Sequence, residues 1–155
     1  KDLNLKPYGI RAMNSLRVEK SYKLVGTELS IEYSPYESGL DRFIHPNKGD
    51  FIGLAALNQW REKGFSNKLA TMEVHGVTDA DVLGNNPIYN NSTVVGRATG
   101  GDFGFRLNKS LALGMVKPDL AKVGQKLEID ILGKMHQVSI IEDSPYDPEN
   151  KLLRA

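Results

Sequence analysis

Apolar side chains near the start of the chain recur at the spacing of a helix. Ile10, Met13 and Leu16 lie three residues apart, which places their side chains on one helix face. Arg17 and Glu19 lie beside this apolar stripe. We therefore predict an N-terminal helix in which Arg17 enters a buried ion pair, holds an anion through its planar set of donors, or lies on a solvated flank.

A second helical pattern follows a polar turn that ends in Asp50. The residues from Phe51 to Lys63 keep helical spacing, Asp50 is suited to cap the first turn, and Gly64 is suited to end the last one. The apolar positions of this pattern are Ile52, Ala55, Ala56 and Trp60. We predict a helix here, preceded by a short extended stretch over residues 41–45.

From about residue 67 the pattern changes to that of strands. Residues 68–75 alternate apolar with polar side chains, as in a strand with one buried face. The remaining signals are a hairpin over residues 87–99 with an Asn90–Asn91 turn, a glycine-rich corner over 100–104, a buried strand over 110–116, and a second hairpin over 126–141 about Gly133. Glycines that fit bends or close backbone approaches are Gly96, Gly114 and Gly124. Short strands with regular turns predict a small antiparallel β-barrel or sandwich, so the fold class is α+β and mainly β.

Length and composition limit the classes of protein to which the chain can belong. Its 155 residues suffice for one hydrophobic core, and two complete domains are not expected. A net charge of +1, without a basic run that includes aromatics, argues against a nucleic-acid surface. No apolar run approaches the ~20 residues of a membrane-spanning helix. The absence of cysteine excludes disulfides and favours an intracellular protein; we expect no signal peptide, and the start at Lys1 suggests a trimmed chain or a fragment.

Residues with catalytic or metal-binding chemistry are few and scattered. His45, His75 and His136 lie far apart in the sequence, so we interpret them as structural or surface residues. The aspartates near residue 80 lack the rest of a calcium-loop pattern, and no serine lies in a nucleophile elbow. The residues alone therefore predict no catalytic group and no metal site.

Three short motifs follow one another in the first part of the chain: Gly9-x-x-Ala-x-x-Ser-Leu-Arg-x-Glu-Lys20, Ser34-Pro-x-Glu-x-Gly-Leu40 and Asp50-Phe-Ile-Gly-x-x-Ala-Leu57. Together with the later segments over residues 94–101 and 110–116, they resemble the glycine cleavage T-protein (aminomethyltransferase) family. The sequence of residues 11–20 resembles the folate-binding part of flavin-dependent dimethylglycine and sarcosine dehydrogenases more than it resembles the T-protein itself. Thr99-Gly-Gly stands where the family commonly has Thr-Ser-Gly.

The resemblance implies a chain with two parts. Residues 1–65 correspond to the C-terminal remnant of the family's folate-binding aminomethyltransferase domain with a connecting helix, and residues 66–155 correspond to its C-terminal β-barrel. In this family, tetrahydrofolate captures a methylene unit released from an amine carrier, and in the dehydrogenase members a separate flavin (FAD) domain first oxidises the methylamine. The implied partners are the upstream domains and a small-molecule methylamine, with no nucleic acid and no membrane. The implied compartment is the cytoplasm, or the mitochondrial matrix in a eukaryote.

The resemblance also implies candidate cofactor-binding residues. Arg17 is expected nearest the folate channel, Arg97 is the second candidate, and Tyr33 and Tyr36 are candidates for stacking or hydrogen-bonding walls. The family's catalytic aspartate and pterin-binding glutamate belong to upstream motifs with no counterpart here, so we expect the chain alone to be inert. The alternatives are a non-catalytic barrel module for partner docking and part of a folate-dependent sulfonium demethylase. The cysteine-bearing folate proteins of RNA modification and iron–sulfur assembly are disfavoured.

Overall fold

The computed structural model describes residues 3–77 and 79–155, and in these residues two α-helices precede six β-strands. The helices are α1 (Ile10–Glu19) and α2 (Leu54–Lys63), and single 3-10 turns lie at Asp41–Phe43, Pro46–Lys48 and Pro118–Leu120. The strands are β1 (Lys68–Val74), β2 (Pro87–Asn90), β3 (Thr93–Gly104), β4 (Lys109–Val116), β5 (Lys126–Ile131) and β6 (Lys134–Ile141). No helix among the described residues is long and apolar enough to cross a membrane.

The six strands form a closed antiparallel barrel in the order β1, β4, β3, β2, β5, β6. Its interior is filled by aliphatic side chains that alternate along the strands, among them Met72, Ile88, Ala112, Ile129 and Val138. Closure leaves none of these six strands with an open edge that a second chain could extend. The predicted fold class, mainly β with a small antiparallel barrel after helices, is therefore confirmed.

Strand β1 is covered on both faces, so the prediction of one buried face for residues 68–75 is wrong. Met72 and its inward neighbours lie in the barrel core, whereas Leu69 packs outside the barrel with Leu113 and Met115. On the same outer face, the Thr71 hydroxyl lies 2.8 Å from the Ser21 hydroxyl. The polypeptide before the barrel folds over β1, and this long-range contact has no signature in the local alternation.

The two predicted hairpins are present, with one shift and one extension. In the first, the turn lies at Asn91 and Ser92, whose φ angles are 48° and 64°, one residue later than predicted. The glycine-rich stretch over residues 100–104 is not a corner, because it continues β3 alongside β4 after a register shift at Ala98. The second hairpin turns at Leu132 and Gly133, as predicted about Gly133.

Two barrel glycines allow backbones to approach closely. A Cβ atom on Gly96 would lie 2.2 Å from the Met115 carbonyl oxygen. A Cβ on Gly114 would lie 2.8 Å from both the Ile88 Cδ1 and the Met72 Cε atoms in the core. No side chain larger than hydrogen fits at these positions without displacing a neighbour, as the sequence predicted for Gly96 and Gly114.

Helix α1 packs against the barrel with its polar face, and its apolar stripe faces away from the barrel. Its buried residues are Ser15, Arg17, Val18 and Glu19, whereas Ile10, Met13 and Leu16 are exposed. The reason is that the outer surface of β3 offers hydrogen-bond acceptors. Ser15 donates to the Phe103 carbonyl over 2.6 Å, and the Asn14 amide donates to the Gly101 carbonyl over 3.1 Å.

Helix α2 begins later than its pattern predicted and lies on the surface. It starts at Leu54 after Gly53, which has a φ of 98°, and Asp50 makes no capping hydrogen bond to it. Gly64 ends the helix with a φ of 77°, as predicted. None of its residues is buried. Residues 41–43 form a 3-10 turn instead of the extended stretch predicted there.

Candidate functional site

The guanidinium of Arg17 lies under α1 and is almost fully enclosed. Its side chain is 8% exposed, and its Nη1 donates over 2.7 Å to the Tyr22 carbonyl. Its Nε donates over 3.1 Å to the Asn14 side chain, and Nη1 also lies 3.4 Å from each carboxylate oxygen of Glu28. Arg17 therefore joins the end of α1 to the loop that follows.

Glu28 is the centre of this buried network, with no exposed surface. Its carboxylate accepts a hydrogen bond from the Leu24 N–H over 2.8 Å and one from the Thr99 hydroxyl over 2.6 Å, in addition to those from Arg17. These donors compensate the buried carboxylate charge for its lost contact with water, so removing them would destabilise the fold. The network thus links α1, the loop before residue 30 and strand β3.

Arg17 forms a buried ion pair, which was one of the three interpretations of the sequence. A second ion pair forms at the end of the same helix. Glu19 is 1% exposed and accepts from the Arg106 side chain over 3.0 Å and from the Arg106 N–H over 2.7 Å. Arg106 lies 87 residues away, in the turn between β3 and β4, and Glu28 lies 11 residues away, in the loop after α1. Their identity was therefore not predictable from residues 9–20.

Arg97 and Tyr33 are brought together on the outside of the barrel. The Arg97 guanidinium donates to the Tyr33 hydroxyl over 3.0 Å from Nε and 2.6 Å from Nη2, and to the Asn85 side chain over 2.9 Å. It also pairs with Glu32. The hydrogen bond that Arg97 donates to Tyr33 raises the pKa of Arg97 above its ordinary value, and the nearby Glu32 charge adds to this effect, so the group is a permanent cation.

Tyr36 lies in a separate packed cluster. Its side chain is 9% exposed, its ring centroid lies 5.6 Å from that of Phe65, and the Arg61 guanidinium lies 5.9 Å from its ring centroid. Its hydroxyl is buried and has no hydrogen-bond partner among the described residues. Of the four predicted residues, the structure therefore joins Arg97 to Tyr33, while Arg17 and Tyr36 each lie in their own surroundings.

An apolar depression, which we name the α1 groove, runs along the exposed face of α1 and has a volume of about 650 Å³. One wall is the apolar stripe of the helix, and the opposite wall is the C-terminal segment after the barrel. The apolar lining comprises Met13, Leu16, Tyr22, Leu24, Tyr146, Leu152 and Leu153. The charged lining comprises Arg17, Lys20, Lys23, Arg106 and Asp147.

The groove combines apolar walls with an excess of positive charge. Leu16 is 41% exposed and Leu152 is 65% exposed, so both walls present unburied hydrocarbon. Among the described residues, four cations and one carboxylate line it. This combination suits an aromatic or aliphatic molecule that carries negative charge. Arg17, a candidate from the sequence, lies at the floor of the groove, whereas the C-terminal wall was not among the sequence candidates; its only local signal is the Leu152–Leu153 pair in a polar segment.

Comparison with known proteins identifies the relatives of this fold. Residues 67–147 match the glycine cleavage T-protein C-terminal barrel domain, and residues 1–48 match the GCVT N-terminal domain. The chain belongs to the glycine cleavage T-protein family. It is 39% identical over 137 residues to mitochondrial dimethylglycine dehydrogenase of Homo sapiens, which is 88% of this chain and 16% of that protein.

The same similarity extends to aminomethyltransferases. The chain is 34% identical over 146 residues to the aminomethyltransferase of Synechocystis sp., covering 94% of this chain and 39% of that protein. The crystal structure of glycine cleavage system aminomethyltransferase T from Bartonella henselae superposes on 88% of this chain and 38% of that chain, with a TM-score of 0.80 at 21% identity. This chain therefore shares the fold of the aminomethyltransferase and spans well under half the length of these relatives.

Proposed function

We propose that this chain is the folate-contacting C-terminal part of a tetrahydrofolate-dependent one-carbon transferase, of the aminomethyltransferase or the dimethylglycine and sarcosine dehydrogenase type. Membership of the family supports the reaction class. The observation that carries the assignment of a site is the α1 groove, because its walls are apolar and its charged lining is mainly cationic.

The residues of the groove fit the chemical groups of a folate. A folate has a flat pterin ring, an aminobenzoyl ring and a glutamate tail with two carboxylates. The ring of Tyr22 and the side chains of Met13 and Leu16 offer apolar contact to the rings, and the cations offer partners to the carboxylates. The volume of about 650 Å³ also falls within the range of small-molecule sites.

In the proposed reaction, this chain binds and orients the folate. Tetrahydrofolate supplies the amine nitrogens that accept a one-carbon unit. Asp147 is the carboxylate among the described groove residues, and its two oxygens accept hydrogen bonds from the Lys151 and Leu152 N–H groups, so it is engaged in its own turn. We therefore expect the chain to bind a folate and not to transfer a methylene unit by itself.

The four residues derived from the family resemblance remain candidates with distinct roles. We propose that Arg17 borders the folate from the floor of the groove and orients Tyr22, to whose carbonyl it donates. Arg97 with Tyr33 is a second candidate contact because the Arg97 side chain is 44% exposed. Tyr36 is a third because its buried hydroxyl lacks a partner among the described residues.

The remaining parts of the proposal concern the longer protein. We propose that a methylamine substrate and, in a dehydrogenase, the FAD are held by domains beyond these 155 residues. The division into residues 1–65 and 66–155 stays a prediction. The compartment is the cytoplasm, or the mitochondrial matrix by analogy with the human relative, whose name places it in mitochondria.

Titration of the purified chain with 5-formyltetrahydrofolate, a stable analogue, tests the proposed function. Isothermal calorimetry should show saturable binding, and Leu16→Glu should abolish it by placing a carboxylate in the apolar wall. Leu132→Glu is the matched control, since Leu132 is 78% exposed at the turn between β5 and β6.

The outcomes separate the proposal from its alternative. Absence of binding, or binding that Leu16→Glu leaves intact, contradicts the folate site and favours a non-catalytic docking module. An assay of methylene transfer to tetrahydrofolate should give no product with the chain alone. Measurable turnover would refute the expectation that this chain lacks the catalytic groups.

A further inference from the structure

Lys20, the residue that follows α1, carries a charge that no carboxylate among the described residues neutralises. Its Nζ donates over 2.6 Å to the Asp147 carbonyl oxygen and over 2.7 Å to the Asn150 side-chain oxygen, and both acceptors are neutral. The other cations of the α1 groove have carboxylate partners. These pairs are Arg17 with Glu28, Lys23 with Asp143 and Arg106 with Glu19.

The position of Lys20 makes this charge available to the groove. Its ammonium lines the groove and lies 5.9 Å from the centroid of the Tyr22 ring. An ammonium has three N–H donors, and two of them are used by the neutral oxygens of the C-terminal segment. One donor and a whole unit of charge therefore remain for a ligand in a partly apolar site, where an ion pair is stronger than in water.

Lys20 also orders the opposite wall of the groove. The segment after the barrel forms a turn in which the Asp147 carboxylate accepts from the Lys151 N–H over 2.8 Å and from the Leu152 N–H over 3.2 Å. Asp147 and Asn150 hold φ angles of 46° and 56°, in the left-handed region that aspartate and asparagine adopt more readily than other side-chain-bearing residues. Lys20 bridges these two residues and so fixes the turn that presents Leu152 to the groove.

We propose that Lys20 is the anion-binding residue of the α1 groove and that it positions the C-terminal wall at the same time. The inference rests on the proposed function, since the ligand class is a carboxylate-bearing aromatic molecule such as a folate. Binding of the ligand carboxylate and order of the C-terminal turn are then coupled through one ammonium group.

The charge half of the proposal is tested with two probes, folic acid and its dimethyl ester, in which two methyl groups replace the two negative charges. The intact chain should bind the acid about tenfold more tightly than the ester, because a hydrogen bond to a charged group in a partly buried site is lost in the ester. Lys20→Met should remove this preference, and Lys20→Arg should retain most of it. Lys134→Met is the matched control because Lys134 is an exposed lysine at the start of β6.

The positioning half has a readout that needs no ligand. Hydrogen exchange followed by mass spectrometry should show faster exchange at the Lys151 and Leu152 amides in Lys20→Met, with the barrel strands unchanged. Equal affinity of the intact chain for acid and ester would overturn the assignment of Lys20 as the anion partner. Unchanged exchange in Lys20→Met would overturn its positioning role. If neither probe binds, the proposed folate function fails, and the exchange result still decides the positioning role.

Discussion

The buried pair of Arg17 and Glu28 allows one prediction to be developed from its geometry. Replacing Arg17 by Met keeps a long apolar side chain in place but removes the guanidinium. Glu28 then retains two neutral donors, the Leu24 N–H and the Thr99 hydroxyl, while its charged side chain has no exposed surface. Breaking a buried pair in this way leaves a charge in a medium that solvates it poorly.

The expected loss is about 3–5 kcal/mol in the free energy of unfolding. For a chain of 155 residues, about 2–4 °C of melting temperature corresponds to each kcal/mol, so the midpoint should fall by about 6–20 °C. The double variant Arg17→Met, Glu28→Gln removes both charges. It should be less destabilised than the sum of the two single variants, because each single variant leaves one buried charge without its partner.

Urea unfolding followed by far-ultraviolet circular dichroism measures these free energies for the two single variants, the double variant and the parent chain. Arg154→Met, at an exposed position in the C-terminal segment, is the control and should lie within about 0.5 kcal/mol of the parent. A loss below about 1 kcal/mol in Arg17→Met, or strictly additive effects in the double variant, would refute the assignment of this pair as a mutually dependent buried unit.

Three further changes probe the barrel and its surface. Gly114→Ser should cost about 1–3 kcal/mol of unfolding free energy by crowding the core. Its control is Gly9→Ser at the N-cap of α1, where a Cβ meets no atom within 4 Å and the change should be neutral or stabilising. Equal costs of the two changes in thermal melts would contradict the packing argument. Ser92→Gly should raise the melting temperature by about 2–4 °C by relieving the left-handed conformation in the first hairpin turn, and a decrease would count against that turn geometry. Arg97→Met should cost about 1 kcal/mol or less, and less still in 1 M salt, since the pair is exposed; a salt-independent loss above about 2 kcal/mol would show a deeper role.

The barrel was predictable because its determinants are local. Alternation within each strand and residues suited to left-handed turns between strands are both visible in the sequence, and they locate the two hairpins and the closing strand β6. The one-residue shift of the first turn is a limit of the same reasoning, because Asn91 belongs to both possible turns, Asn90–Asn91 and Asn91–Ser92. Pairing of β2 with its neighbours decides between them, and that pairing is not a local property.

The glycine-rich part of β3 shows where local reasoning is misleading. Residues 100–104 predict a corner because glycine weakens a strand. In the barrel, however, a Cβ at Gly101 would lie 2.5 Å from the Leu111 carbonyl oxygen, and one at Gly104 would lie 3.0 Å from the Glu19 side chain. The glycines are needed because β4 and α1 approach β3 closely. Composition alone does not distinguish a bend from such an approach.

The orientation of α1 could not be predicted because the usual rule is inverted in this helix. The rule assigns the apolar face to the core, but here Ser15, Arg17 and Glu19 lie against the barrel and Leu16 faces the α1 groove. Burying the polar face is possible because each of its groups meets a defined partner on the barrel or the following loop. Exposing the apolar face costs about 25 cal/mol for each Å² that stays in water, and an occupant of the groove recovers that free energy. The inversion is thus a stronger indication of a binding surface than any single residue of the motif that begins at Gly9.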